Sequence, residues 1–343
     1  MAKGMQRHGG WRWLSLFWAS VLILLLAGAV TLAWLGPPPE NVAPPSTEAA
    51  TPMAEAAPAE PIPAAPNPPA ASLPALAPVV AGPHVEPALV EPSAVGPLPR
   101  VAPDGRSPMQ AYARPFDPRE ARPRLALVVG GLGLNASLTE QAIAALPPTT
   151  GLAFSPYAPR ARPLIEQARA RGFETLLALP LEPQGYPLND PGDRALLTGL
   201  PPGENLARLD WLLARFPGHV GAIGALGSMR GERYAMLAEP YEAMQAVLAR
   251  RGLLFLEARP GAPPPARAFG RSIDLVVDEP ATRAEIDARL LALERLARER
   301  GSALGYVGEA SPVAVARIAA WAAEATGRGI VLAPPSALVR PPR

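Results

Sequence analysis

Four acids stand just past apolar runs, where buried strands would end: Glu182, Glu257, Asp278 and Glu309. Facing one cleft, such carboxylates could hold a hard cation or move protons. Acids in these places also start helices and keep loops soluble, so any one of them alone has an ordinary reading. Around Glu182 the polar residues thicken, with Tyr186, Asn189 and Asp190 close behind; these seven positions make up the candidate cleft. Residue counts exclude other chemistries. With no cysteine, the chain has no disulfide, catalytic thiolate or iron–sulfur cluster. Its three histidines are His8, His84 and His219, and only the last falls in the part expected to fold, so a multi-histidine metal site cannot form. His219 precedes its strand in Pro217-Gly218-His219, at the wrong end of the sheet for catalysis, and reads as a solvent-exposed loop residue. No G-x-S-x-G elbow is present, because Gly227-Ser228-Met229-Arg230-Gly231 lacks the offset. A net charge of +2 over 343 residues is too small to indicate a nucleic-acid partner.

One phosphate-type motif competes. Gly131-Leu132-Gly133-Leu134-Asn135-Ala136 fits G-x-G-x-x-A between an apolar run and a helix. A dinucleotide site would also need an acid at the end of the next strand, which here ends Phe154-Ser155-Pro156. The segment therefore reads either as a nucleotide-binding turn or, more simply, as a tight strand–helix turn.

These residues must be positioned by alternating strands and helices. Leu125–Val129, Leu152–Phe154, Thr175–Leu179, Val220–Ile223, Leu253–Leu256, Ile273–Val277, Ala303–Val307 and Ile330–Ala333 read as buried strands. Apolar stripes at helical spacing separate several of them: Leu206, Leu209, Leu213 and Phe216; Leu237, Tyr241, Met244 and Leu248; Ile286, Leu290, Leu293 and Ala297. Ser137 with Glu140 and Thr282 with Glu285 have capping-box spacing, and Ser311-Pro312 pairs an N-cap with proline at the first helical position. Arg171-Gly172, Arg251-Gly252, Arg300-Gly301 and Arg328-Gly329 each close a helix before a strand, glycine taking the left-handed turn. Such alternation means a parallel sheet, open or closed into a barrel, with function at the carboxyl ends of its strands.

The amino-terminal third is different. Residues 13–35 carry no charge and are mostly apolar, long enough at ~1.5 Å per residue to cross a ~30 Å hydrocarbon layer. Lys3, Arg7 and Arg12 precede them, so the positive-inside rule predicts a cytoplasmic segment 1–12, a single-pass anchor over 13–35 in the cytoplasmic membrane, and export of everything after it. Ala27-Gly28-Ala29 resembles a signal-peptidase site, but the apolar run continues beyond it. Residues 36–122 are rich in proline and alanine without apolar periodicity, which predicts a disordered tether. The folded domain is then 123–343.

Several segments together resemble one family. Leu152-Ala153-Phe154-Ser155-Pro156-Tyr157-Ala158, Gly172-Phe173-Glu174, Leu179-Pro180-Leu181-Glu182-Pro183 and Tyr186-Pro187-Leu188-Asn189-Asp190-Pro191-Gly192 come in that order. Arg208-Leu209-Asp210-Trp211, Gly218-His219-Val220-Gly221, Gly227-Ser228 and Pro335-Ser336-Ala337 follow. This pattern is similar to the divergent polysaccharide deacetylases. The resemblance implies an α/β fold, a deformed (β/α) barrel of about seven to eight parallel strands, and carbohydrate-esterase chemistry using a divalent metal such as zinc. The departures fall at the metal site. The family's two aspartates after the first strand correspond to Gly130 and Gly131, one histidine to Ala225, and a later histidine to Glu309. Glycine and alanine have no side-chain donor, so the expectation is a metal-free, cofactor-free domain that binds a cell-envelope glycan or an envelope protein. The alternatives are an active hydrolase built on the cleft carboxylates, and a nucleotide-binding domain using Gly131–Ala136.

Overall fold

In the computed structural model, residues 17–27 and 85–342 are described. The chain divides into two units, residues 1–71 and 72–343. Of the first, only helix α1, residues 17–27, is described. At ~1.5 Å per residue it is about 16 Å long, roughly half of a ~30 Å hydrocarbon layer. Among the described residues no helix is long and apolar enough to cross a membrane. This overturns the expected single-pass anchor over 13–35, and the topology deduced from it loses its basis. The remainder of that span lies outside the described residues.

The second unit opens with short elements: β1 (Val90–Glu91), β2 (Leu98–Pro99) and α2 (Pro108–Ala111). Alternation then sets in as β3 (Arg124–Leu132), α3 (Ala136–Ala145), β4 (Gly151–Phe154), α4 (Ala161–Ala170), β5 (Glu174–Ala178), α5 (Pro202–Leu213) and β6 (Gly221–Ile223). It continues through α6 (Ala238–Arg250), β7 (Leu254–Glu257), β8 (Gly270–Ser272), β9 (Leu275–Val276), α7 (Arg283–Arg300), β10 (Ser302–Val307), α8 (Pro312–Ala325) and β11 (Val331–Leu332).

Strands β3 to β11 form one parallel sheet in the order β8-β7-β6-β5-β4-β3-β10-β9, with β11 on the first residues of β3. The sheet curls. β8 and β9 are its two edges, yet only Ile273 and Asp274 separate them; Ile273 N donates to Glu257 O in β7, and Asp274 N donates to Leu304 O in β10. One extended segment thus bonds first to one edge and then to the other. The strand expected over Ile273–Val277 is shorter, β9 at Leu275–Val276, and Ile273-Asp274 is its junction with β8.

Strand alternation sorts the core into two layers. Leu125, Leu127 and Val129 face the outer helices, with Ile286, Leu290, Ala314 and Ile318. Ala126 and Val128 face inward, with Leu176, Leu254, Leu304 and Tyr306. Helix ends follow the predicted chemistry in most places. Thr282 and Ser311 accept bonds from Glu285 N and Ala314 N, and Gly172, Gly252, Gly301 and Gly329 all have positive φ. At α3 the cap is Asn135, which accepts from Leu138 N, so Ser137 lies within the helix.

Residues 85–122 are not a tether. Leu89, Ala102 and Tyr112 are buried in the inner core, and Met109, Ala111 and Phe116 pack against it. Polar contacts fix this arm to the sheet and helices. Arg251 binds Glu91, the Pro99 carbonyl and Asp210, and Arg114 N donates to the buried Glu174 carboxylate at 2.9 Å. The same carboxylate accepts from Ser336 N and the Ser336 hydroxyl, tying in the carboxyl-terminal segment. Isolated apolar side chains among prolines carry no period, yet each fills a hole that distant strands create. Residues 36–84 of the expected tether lie outside the described residues.

Candidate functional site

At the carboxyl end of β3 the chain is Gly130-Gly131, and opposite it stand Tyr306 of β10 and, just past that strand, Gly308 and Glu309. The Tyr306 ring is fully buried and its hydroxyl donates to Gly227 O at 3.0 Å. That hydroxyl lies 2.7 Å from where a β-carbon on Gly130 would stand. Burial first, then the Asp278 and Glu309 carboxylates, push the phenol up, so it stays a neutral donor. Glu309 leans over the same floor, its oxygens 2.8 and 3.0 Å from the β-carbon positions of Gly131 and Gly227. Partial burial, and then Asp278, push its carboxyl above the usual range. Asp278 is buried, with its two oxygens accepting from Gly308 N at 2.9 Å and Glu309 N at 3.0 Å. Gly130, Gly131, Asp278 and Glu309 therefore do meet. Ala225 is buried in the inner core two residues before Gly227.

Glu182 sits elsewhere at the strand ends, and it is buried. Its carboxylate accepts from the Thr198 hydroxyl at 2.7 Å and pairs with Arg233 at 3.0 Å, while its carbonyl accepts from Arg233 N and Tyr234 N. Glu182 thus fixes two loops to the segment that follows β5. A groove of about 400 Å³ opens beside it, lined by Tyr186, Pro187, Thr198, Gly199 and Arg233. Asn189 and Asp190 are exposed on the neighbouring loop and shape it locally, Asn189 donating to Gln184 O and Asp190 accepting from Gly192 N. Leu188 between them is almost wholly exposed.

Glu257 is apart from both clusters. It is buried, takes two bonds from the Arg259 guanidinium at 2.9 and 2.7 Å, and accepts the Tyr241 hydroxyl. Burial, followed by this carboxylate, holds the Tyr241 phenol well above its ordinary value. The bonds leave Glu257 saturated, a brace rather than a cleft residue.

His219 is corrected outright. It precedes β6 as expected, but it is buried, with Nδ1 3.0 Å from Gly221 O and the Phe216 ring edge-on at 5.8 Å. Burial pushes it down to about 4. The glycine motif is likewise explained by packing: a β-carbon on Gly133 would stand 2.7 Å from the Ala158 methyl, and Gly133 N already donates to Thr139 Oγ1.

The donor set does not fit the divalent metal that the resemblance implies. Zinc takes three or four nitrogen, sulfur or oxygen side-chain ligands. Of the four corresponding positions only Glu309 offers one, and the oxygens of neighbouring Asp278 are occupied by backbone N–H groups. Among the described residues no three His, Cys, Asp or Glu side chains are grouped to hold a metal ion. The residue sequence reasoning missed is Tyr306, whose only signal was an aromatic at the end of an apolar strand.

Fold and site define a curled parallel α/β domain with polar side chains gathered at the carboxyl ends of its strands. The chain belongs to the divergent polysaccharide deacetylase family, whose model matches residues 127–339. It is similar in structure to the uncharacterized protein ATU2773 from Agrobacterium tumefaciens C58, with 35% identity and a TM-score of 0.63, over 71% of this chain and 100% of the other. No curated protein matches the sequence.

Proposed function

We propose that this member of the family binds a glycan and has given up metal-dependent deacetylation. One observation carries the reading: the Tyr306 hydroxyl and the Glu309 carboxylate stand where side chains at 130 and 131 would begin. Deacetylation on this fold needs a cation to polarise the acetyl carbonyl and activate water, and these residues give it no ligand set. Recognition needs only shape and polar groups, which the groove beside Tyr186, Thr198 and Arg233 supplies. The experiment is titration of the chain with N-acetylated amino-sugar oligomers, alongside an acetate-release assay with and without zinc. Saturable binding that Tyr186→Ala weakens, without acetate release, is the expected result. Zinc-dependent release by the parent overturns it.

A second reading is a hydrolase that uses carboxylates alone, and the raised Glu309 favours it. Partial burial and then Asp278 move its carboxyl upward, the direction a general acid needs. Acetate release that zinc does not alter and Glu309→Gln abolishes would select this reading over the first.

A further inference from the structure

We propose a phosphate-sized oxyanion site at the opposite end of the sheet, between the amino ends of β8 and β10. A pocket of about 240 Å³ there is lined by Arg271, Ser272, Arg300, Ser302 and Arg340, with Gly270, an alanine and prolines completing the wall and no acid in it. The volume is below the ~300–1,000 Å³ of ordinary organic-ligand sites, which suits a small anion.

The arginines are held in place. Arg271, largely buried, donates to the Ser302 hydroxyl at 2.7 Å, Ser302 O at 3.1 Å and Asp274 at 2.8 Å, so its planar fork has a fixed orientation. Arg340 is anchored through its backbone by two bonds to Gly270, at 2.9 and 3.0 Å. Among the described residues its guanidinium has no ion pair, and Arg300 reaches only Asp274, at 3.4 Å. Three positive charges therefore face one nearby carboxylate. The Ser272 hydroxyl adds an independent sign: it is buried and has no hydrogen-bond partner among the described residues. Buried hydroxyls are rarely left unpaired; this one is shielded from solvent as it stands, and a rotation about its Cα–Cβ bond would let a tetrahedral oxyanion held by the guanidinium forks accept from it.

The test is calorimetric titration of the full chain with inorganic phosphate against sodium chloride at matched ionic strength, with a phosphomonoester sugar as a second arm. Saturable phosphate binding, tighter than about 1 mM, is expected. Arg340→Ala should weaken it roughly tenfold, the loss of one charge-assisted contact, and Ser272→Ala should weaken it less. Both residues are dispensable for the core, and Arg300→Ala provides a third variant should either fail to fold. Arg162→Ala, a far-exposed arginine on α4, should bind as the parent does. Tighter binding of the sugar ester would identify an esterified phosphate as the occupant; equal binding, the free anion. Heats no larger than those from sodium chloride, or variants at 272, 300 and 340 that bind like the parent, would overturn the site.

Discussion

The hydroxyl of Tyr306 stands 2.7 Å from the point where a side chain on Gly130 would begin. The two positions are therefore one spatial unit, and a change at one alters the cost of a change at the other. Adding only a methyl at Gly130 overpacks a buried site, at a cost of roughly 1–3 kcal/mol. Tyr306→Phe removes the nearest atom but loses the bond to Gly227 O, costing about 1 kcal/mol by itself. In a double-mutant cycle, Gly130→Ala should cost less in the Tyr306→Phe background than in the parent. Equal costs in urea denaturation would show that the two sites do not touch. Restoring aspartate at 130 for metal binding should likewise require a smaller residue at 306, and Gly131→Asp adds strain at φ +70°.

Truncation at residue 123 should destabilise the domain markedly. Leu89 and Tyr112 are buried in the inner core, and deleting one large buried side chain typically costs ~2–5 kcal/mol. Leu89→Ala in the full chain should lower the urea midpoint, and the 123–343 fragment should fall further or fail to fold. A fragment as stable as the full chain would mean the arm is not docked.

Stability should fall in acid through His219. Its folded value is about 4 against an ordinary 6.5, so between these values the unfolded chain binds the proton that the folded one refuses. Unfolding is then favoured as pH drops from about 7, and this group's contribution, on the order of 3 kcal/mol, is gone near pH 4. Comparing denaturation of the parent and His219→Gln from pH 7.5 to 4 isolates the effect. The difference between them should shrink toward acid; a constant difference would place the imidazole in contact with water.

Glu257→Ala should reduce stability and leave ligand binding in the Tyr186 groove intact. Removing it strands the Arg259 guanidinium and the Tyr241 hydroxyl, and breaking a buried pair costs ~3–5 kcal/mol. Glu182→Ala should lower both stability and binding, because Thr198 and Arg233 line the groove it fixes. Oligosaccharide titration of folded variants separates the two, and weakened binding in Glu257→Ala would return Glu257 to the cleft.

By itself the sequence determined the alternation, the parallel sheet and most of the helix ends, because those depend on neighbours within a turn or a pleat. Gly172, Gly252, Gly301 and Gly329 were readable as left-handed caps for that reason. That positions 130, 131 and 225 carry no side-chain donor is readable in the same way, since it needs no coordinates. What filled the space was decided only by tertiary structure. Tyr306 meets Gly130, and Ser336 meets Glu174, across separations that no local pattern encodes. The same holds for His219, whose glycine-flanked setting looks exposed until Phe216 packs against it, and for Leu89 and Tyr112, which have no period of their own. Burial of such residues is a property of the surface that receives them, and that surface exists only once the sheet has curled.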